Sequence, residues 1–241
     1  LVGTFMRELS SMREKFKDED AEYEASFQHL EKAAVLQECR NFNDANFVSK
    51  AANGRGDEIN TCIACNQACL DAIFNGKITS CLVNPFACNE TEMVLKPATV
   101  IKKIAVVGAG PAGLAAATTA ARRGHQVTLF DAAEEIGGQF NIAKRIPGKE
   151  EFYETIRYFA KEISLSGVTL RLGLRAGPKD LASFDEVILA TGVMPRTPEI
   201  IGIEHPKVVG YLDVINGTQV GKSVAVIGAG GIGFDISEFL I

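Results

Sequence analysis

The chain has 241 residues, 46% of them apolar and 23% charged, with a formal net charge of −5. That length supports one large or two modest domains with real cores, and the acidic balance gives no electrostatic case for binding nucleic acid, which needs a basic face. No apolar run reaches the length of a bilayer span, and the N-terminus lacks the charged-then-apolar order of a signal sequence. Of the six cysteines four are clustered, which points to thiolate ligands in a reducing, cytoplasmic setting and not to a disulfide scaffold.

In chain order, the first pattern is helical. Phe5, Leu9, Met12 and Phe16 recur at helical steps, and Tyr23, Phe27, Leu30 and Ala34 repeat them further on. Asp18-Glu19-Asp20 interrupts that seam, so residues 1–40 read either as one long helix with a charged seam position or as a helical hairpin. A packed amphipathic helix accounts for the stretch better than a coiled-coil partner site, because so few heptads are present. Residues 41–60 are polar and rich in Asn and Gly, and predict an irregular loop leading to the cysteines. Asn84-Pro85 closes the cysteine segment, and Lys96-Pro97 marks the next boundary.

Beyond it, strand and helix alternate. Ile104 to Val107 predicts a buried parallel strand, Leu114 to Arg123 an Ala-rich helix, and Val127 to Phe130 a second strand with Asp131 at its tip. A helix is expected from Phe152 to Ile163, ended near Gly167, then strands at Val168–Leu172 and Glu186–Ala190. Val224 to Ile227 reads as one more strand, restarting the same strand–glycine–helix phrase. Alternation of this kind predicts an α/β fold, a doubly wound parallel sheet with helices on its faces.

Two groups of residues carry chemistry. Cys62, Cys65, Cys69 and Cys81 follow the spacing Cys-x2-Cys-x3-Cys-x11-Cys. Three close thiols plus a fourth from a following loop suit a [4Fe–4S] cluster. Zinc is the alternative, but its sites usually pair two separate cysteine knuckles, and Cys81 has no near partner. Cys39 and Cys88 read as ordinary semi-buried thiols.

The second group is Gly108-x-Gly110-x-x-Gly113, which follows a predicted strand and opens a helix. The first glycine permits the tight turn, the second lets a pyrophosphate approach the backbone, and the third allows close helix–strand packing. The helix N-terminus offers free N–H groups to the phosphates. Asp131 stands where an acid can bind a ribose hydroxyl. The phrase alone does not separate FAD from NAD; Gly137-Gly138-Gln139 favours FAD, and Ala190-Thr191-Gly192 suits flavoproteins with two dinucleotide sites. Gly228, Gly230 and Gly233 form a second such phrase, expected to cradle the nicotinamide donor.

With these residues in view, the stretch from about Asn46 to Ile241 resembles the bacterial-type 2,4-dienoyl-CoA reductases, in the Old Yellow Enzyme-like group with trimethylamine dehydrogenase. The runs that carry the resemblance are Asn60-Thr-Cys-Ile-Ala-Cys-Asn-Gln-Ala-Cys69, Thr79-Ser-Cys-Leu-Val-Asn-Pro85 and Gly137-Gly-Gln-Phe-Asn-Ile-Ala-Lys144. Ile146-Pro-Gly-Lys-Glu-Glu-Phe152 and Gly230-Gly-Ile-Gly-Phe-Asp235 extend it. The resemblance implies a relay from NADPH through FAD and a [4Fe–4S] cluster to an FMN, which reduces a dienoyl-CoA double bond. It implies that Cys62, Cys65, Cys69 and Cys81 hold the cluster. It places Ala112, Asp131 and Gln139 at FAD, with Lys149 a further contact and the Ala176 backbone near the adenine. Gly228, Gly230 and Gly233 would approach the NADPH phosphates.

The expected organisation is therefore a helical segment of unassigned role (1–45), a cluster-binding segment (46–97), an incomplete FAD-binding Rossmann-like domain (98–216) and the start of an NADP-binding one (217–241). Leu1 in place of Met, and an apolar helical pattern broken off at Ile241, lead us to expect a fragment at both ends. The FMN barrel and its catalytic acid are not expected here, so 2,4-dienoyl-CoA would be a partner only of a full-length enzyme and this chain should not complete the reaction. Ala64 replaces the glycine more common in that family, which is tolerable if its φ is negative. Two alternatives remain: a non-catalytic product whose helical N-terminus is an interaction element, and a subunit like the small subunit of glutamate synthase. The single cysteine quartet disfavours the latter, which usually carries cysteines for two clusters.

Overall fold

The computed structural model describes residues 43–241. The helical reading of residues 1–40 and the thiol of Cys39 lie outside the described residues. The chain divides into two compact units, Leu1–Val94 and Leu95–Ile241.

In the first unit the expected irregular loop contains helix α1 (Phe47–Ala52) and a single 3-10 turn (Gly56–Glu58). The difference has a local cause. Asp44 accepts the Asn46 N–H at 3.0 Å and the Lys50 ammonium at 2.6 Å, pinning both ends of a short helix-permissive run. The same carboxylate accepts the Asn60 N–H at 3.1 Å, and Lys50 also donates to the Glu58 carbonyl at 2.8 Å. This partly buried ion pair therefore folds the chain back to the start of the cysteine run. Helix α2 (Leu70–Phe74) follows the third cysteine.

The second unit is an α/β layer built on four parallel strands in the order β3-β2-β1-β4. These are β1 (Lys103–Val107), β2 (Gln126–Phe130), β3 (Thr169–Arg171) and β4 (Glu186–Leu189). The helices of this unit are α3 (Pro111–Arg122), α4 (Phe140–Ala143), α5 (Phe152–Ser166), α6 (Pro178–Leu181), α7 (Tyr211–Ile215) and α8 (Gly231–Phe239). In β1, Ile104, Ala105 and Val106 are all buried, as expected of a strand covered on both faces. The register sets Ile104 beside Val127 and Val106 beside Leu129, so these four side chains share one face. Leu114 and Ala117 of α3 and Ile163 of α5 pack onto that face and complete the core. Burying a side chain such as Leu114 or Leu129 stabilises by about 1.5–3 kcal/mol.

Local signals set the helix ends. Pro111 occupies the first turn of α3, where its missing N–H costs nothing. Gly167 ends α5 in the left-handed region at φ 73°, as the sequence predicts. The Arg122 guanidinium is held by the Glu162 carboxylate and by the Tyr158 hydroxyl at 3.4 Å, which ties α3 to α5. Burial alone would lower the pKa of Arg122, but the Tyr158 hydroxyl and the Glu162 carboxylate outweigh it and raise the value.

Two strand expectations need correction. The third strand is shorter than Val168–Leu172, spanning Thr169–Arg171, because it pairs on one side only and its register with β2 covers three positions. Val224–Ile227 is not a strand: Val224, Val226 and Ile227 are exposed, and among the described residues no strand pairs with it. An apolar run becomes a strand only where a partner ladder takes up its N–H and C=O groups.

Candidate functional site

The first glycine phrase lies at the C-terminal edge of the sheet, where β1 hands over to α3. At Gly108, φ is 109°, and a Cβ would stand 2.2 Å from the Ala190 carbonyl oxygen at the end of β4. At Gly113 a Cβ would stand 1.7 Å from the Gly108 oxygen. Both glycines are thus demanded by the protein's own packing.

Gly110 is different. Its φ of −76° suits any residue, and among the described residues an added Cβ meets nothing nearer than Gly138 Cα at 4.0 Å. Neither backbone conformation nor internal contact explains a glycine there. The space in front of it, at the first turn of α3, is what a pyrophosphate needs to reach the backbone. Gly138 closes the other wall: its φ is 54°, and a Cβ would come within 3.0 Å of Gly110 Cα. Gly137 braces the loop by donating its N–H to the Ala109 carbonyl at 2.8 Å. These residues fit a dinucleotide.

Asp131, at the tip of β2, accepts the Ala109 N–H at 2.5 Å through one oxygen and the Ala133 N–H at 2.8 Å through the other. It holds the glycine loop in place, and each carboxylate oxygen keeps a further lone pair for a hydroxyl donor. Ala112 is exposed in the first turn of α3 and Ala176 is half-buried between β3 and α6, both following C-terminal strand ends. Gln139 donates to the Val193 carbonyl at 2.7 Å, linking the residues after Gly138 to those after β4. Lys149 is paired with Asp235 of α8 at 2.5 Å.

The second phrase repeats the local geometry of the first. Gly228 has φ 120°, and a Cβ on Gly233 would stand 2.1 Å from the Gly228 oxygen, matching the contact of Gly113 with Gly108. Gly230 caps α8 in extended backbone, and no described atom lies within 4 Å of where its Cβ would be. Ile236 of α8 packs with Ile146 and Ile215 in a small second core, so this loop is carried on its own buried support.

In the first unit, Cys62, Cys65, Cys69 and Cys81 are half-buried and Cys88 is exposed. Ala64 and Asn66 have φ values of 55° and 56°, which curl the chain between and after the first two cysteines. The condition set for Ala64 therefore fails: its φ is positive, and the methyl is carried in the left-handed region. The Ala64 N–H donates to Cys62 Sγ at 3.3 Å. The Ser80 N–H donates to the Ala68 carbonyl at 2.8 Å, returning the chain so that Cys81 lies near the first turn of cysteines. Burial pushes the Cys81 thiol up, the N–H groups of Val83 and Asn84 aimed at its sulfur oppose that, and Cys62 and Cys65 push it up further. The Cys81 thiol therefore lies close enough to Cys62 and Cys65 to feel both. Among the described residues no three His, Cys, Asp or Glu side chains already converge on a metal position.

Asn43 is the residue that sequence reasoning missed. It is 2% exposed and accepts the Cys81 S–H at 2.5 Å through Oδ1, across 38 residues of chain. No local pattern marks it.

The described residues contain no helix long and apolar enough to cross a membrane. Comparison with known proteins supplies the family. The model of the pyridine nucleotide-disulphide oxidoreductase family matches residues 102–241. A metal reductase of Desulforamulus reducens is 37% identical over 204 residues, covering 82% of this chain and 30% of that protein. An NADH oxidase of Thermoanaerobacter brockii is 39% identical over 206 residues, covering 82% of this chain and 32% of its own length. A solved 2-naphthoyl-CoA reductase in complex with 2-naphthoyl-CoA aligns with TM-score 0.80 at 34% identity, covering 84% of this chain and 31% of that one. The chain thus spans about a third of the length of these relatives. With its first glycine loop at the C-terminal edge of a parallel sheet and these matches, the chain belongs to the pyridine nucleotide-disulphide oxidoreductase family, residues 102–241 forming a FAD/NAD(P)-binding α/β domain.

Proposed function

We propose that this chain is the electron-input portion of an NADPH-dependent reductase of the 2,4-dienoyl-CoA reductase kind, taking electrons from NADPH through FAD to a [4Fe–4S] cluster and on toward an FMN carried elsewhere in such proteins. The observation that carries the reading is Gly110, a glycine that no contact or torsion in the protein requires, facing open space at the N-terminus of α3.

A flavin held by the first glycine loop would supply a hydride acceptor for the nicotinamide, and a cluster on the four thiolates would supply one-electron transfer. The protein's part is binding and orientation. Gly108 and Gly113 shape the first loop, Gly110 and Gly138 leave room for the pyrophosphate, and Asp131 holds the Ala109 N–H while keeping lone pairs for a ribose hydroxyl. Gln139 fixes the loop after Gly138 against Val193. Gly228, Gly230 and Gly233 build the corresponding loop for NADPH. Cys62, Cys65, Cys69 and Cys81 are the proposed iron ligands, with the Ala64 N–H donating to Cys62 Sγ at 3.3 Å.

The similar relatives bear names with different acceptors, a metal in one case and an aryl-CoA in another, while sharing this same segment. That pattern suits a common input module whose acceptor is chosen elsewhere. Anaerobic reconstitution of the full chain with iron and sulfide tests the proposal. The expected product has broad visible absorption that bleaches with dithionite, beside a bound flavin; four zinc-bound thiolates and no iron would refute the cluster.

A further inference from the structure

Lys149, which the resemblance sets at FAD, has its ammonium on the Asp235 carboxylate at 2.5 Å. Asp235 stands on α8, the helix that the second glycine phrase opens. The two glycine loops are held in unlike ways, and that difference gives the ion pair its role.

The first loop is tied down by its backbone. Gly108 donates its N–H to the Phe130 carbonyl at 2.7 Å, Ala109 to Asp131 at 2.5 Å, and Gly137 to the Ala109 carbonyl at 2.8 Å. The second loop has no such ties among the described residues. Val224–Ile227 pairs with no strand, and no backbone hydrogen bond joins residues 221–229 to another element. No described atom stands within 4 Å of where a Cβ on Gly228, Gly230 or Gly231 would be.

Among the described residues the loop is therefore held through α8. Ile236 sits in a small core with Ile146 and Ile215, and its neighbour Asp235 meets Lys149. Successive helix residues point about 100° apart around the axis, so the two contacts reach α8 from different directions. An apolar contact fixes how far a helix stands from its support but lets it roll. An ion pair about 100° away stops the roll. Both contacts come from one short segment. Ile146 is 3% exposed, and Lys149 donates its N–H to the Ile146 carbonyl at 3.1 Å, so the ammonium is carried on backbone that the core has already fixed.

We infer that Lys149 is a positioning residue for the nicotinamide nucleotide: through Asp235 it sets the rotation of α8, and with it the direction of the first-turn N–H groups and of Gly230. The inference rests on the reading of Gly228, Gly230 and Gly233 as the NADPH loop. It needs no contact between Lys149 and the nucleotide.

Calorimetric titration of the full chain with NADP+, and separately with NAD+, tests it in the wild type, Lys149→Met, Asp235→Asn and Lys149→Arg. The sign of the Asp235→Asn effect is decisive. A carboxylate repels an anionic ligand, so neutralising it would tighten binding if charge alone mattered. Lost positioning weakens binding instead. Lys149→Met and Asp235→Asn should each raise Kd about two- to fivefold, the scale of a partly exposed ion pair. The double variant should bind no more weakly than either single one, because the two side chains act as a unit. Lys149→Arg keeps the charge and should retain the wild-type Kd. Should Lys149→Met fail to fold, Asp235→Asn decides by its sign. Wild-type Kd in Lys149→Met and Asp235→Asn, or tighter binding by Asp235→Asn, would overturn the inference and leave the loop reading standing. Wild-type protein that binds neither nucleotide would overturn both.

Discussion

Lys149 donates to Asp235 at 2.5 Å, and this contact joins the segment that follows the first glycine phrase to the helix opened by the second. Ile146 and Ile236 pack beside it, and Arg145 donates to Asn216 at 3.0 Å. The pair is partly exposed, so its value is that of a surface ion pair. Asp235→Asn is expected to lower stability by about 0.5–1 kcal/mol, with the difference shrinking in high salt, as measured by urea denaturation. Lys149→Met should have the same small effect on stability and, if the ammonium also serves FAD, weaken flavin retention beyond that of Asp235→Asn.

The glycines of the first phrase should separate by role. Gly110→Ala is expected to change folding stability by less than about 1 kcal/mol, since its Cβ meets only Gly138 Cα at 4.0 Å. The same substitution should strip flavin from the purified protein, read as the ratio of flavin to protein absorbance. Gly113→Ala forces a Cβ to 1.7 Å from the Gly108 oxygen and should cost about 3 kcal/mol or more. A Gly110→Ala protein with full flavin would remove the main support for the FAD site.

Ala64 carries its methyl at φ 55°. The left-handed region costs an L-residue about 1–2 kcal/mol, partly offset by the extra unfolded-state freedom of glycine. Ala64→Gly should therefore be neutral or stabilising by about 0.5 kcal/mol. Ala64→Val, with a β-branched side chain in the same torsion, should destabilise by about 1–2 kcal/mol. Equal stability of the two variants would argue against the positive φ.

Glu162 is 6% exposed and pairs with Arg122 across α3 and α5. Glu162→Ala leaves the exposed Arg122 guanidinium with water and the Tyr158 hydroxyl, and the loss should be about 1 kcal/mol. Thermal unfolding of the single variant and of Glu162→Ala with Arg122→Met resolves it: the double variant should recover part of the loss.

Where a signal is local, the sequence was legible. The strand–glycine–helix phrase, the α5 stop at Gly167 and the crowded cysteines each depend on torsions or spacings set within a few residues. The stretch Val224–Ile227 misled because apolar alternation describes a strand's side chains and not its hydrogen-bond partner. Ala64 misled because its torsion follows from how the cysteine loop closes, which no neighbouring residue dictates.

By itself, the sequence determined the parallel α/β layer, the two glycine loops and the four candidate thiolates, since periodicity and glycine chemistry are written in contiguous residues. Only the tertiary structure decided that Gly110 alone among the first phrase's three glycines is left unexplained by packing, and that Lys149 meets Asp235. It also decided that an asparagine 38 residues from Cys81 in sequence lies against its sulfur. These are distances between side chains from separate elements, and they exist only once burial and backbone pairing have brought those elements together.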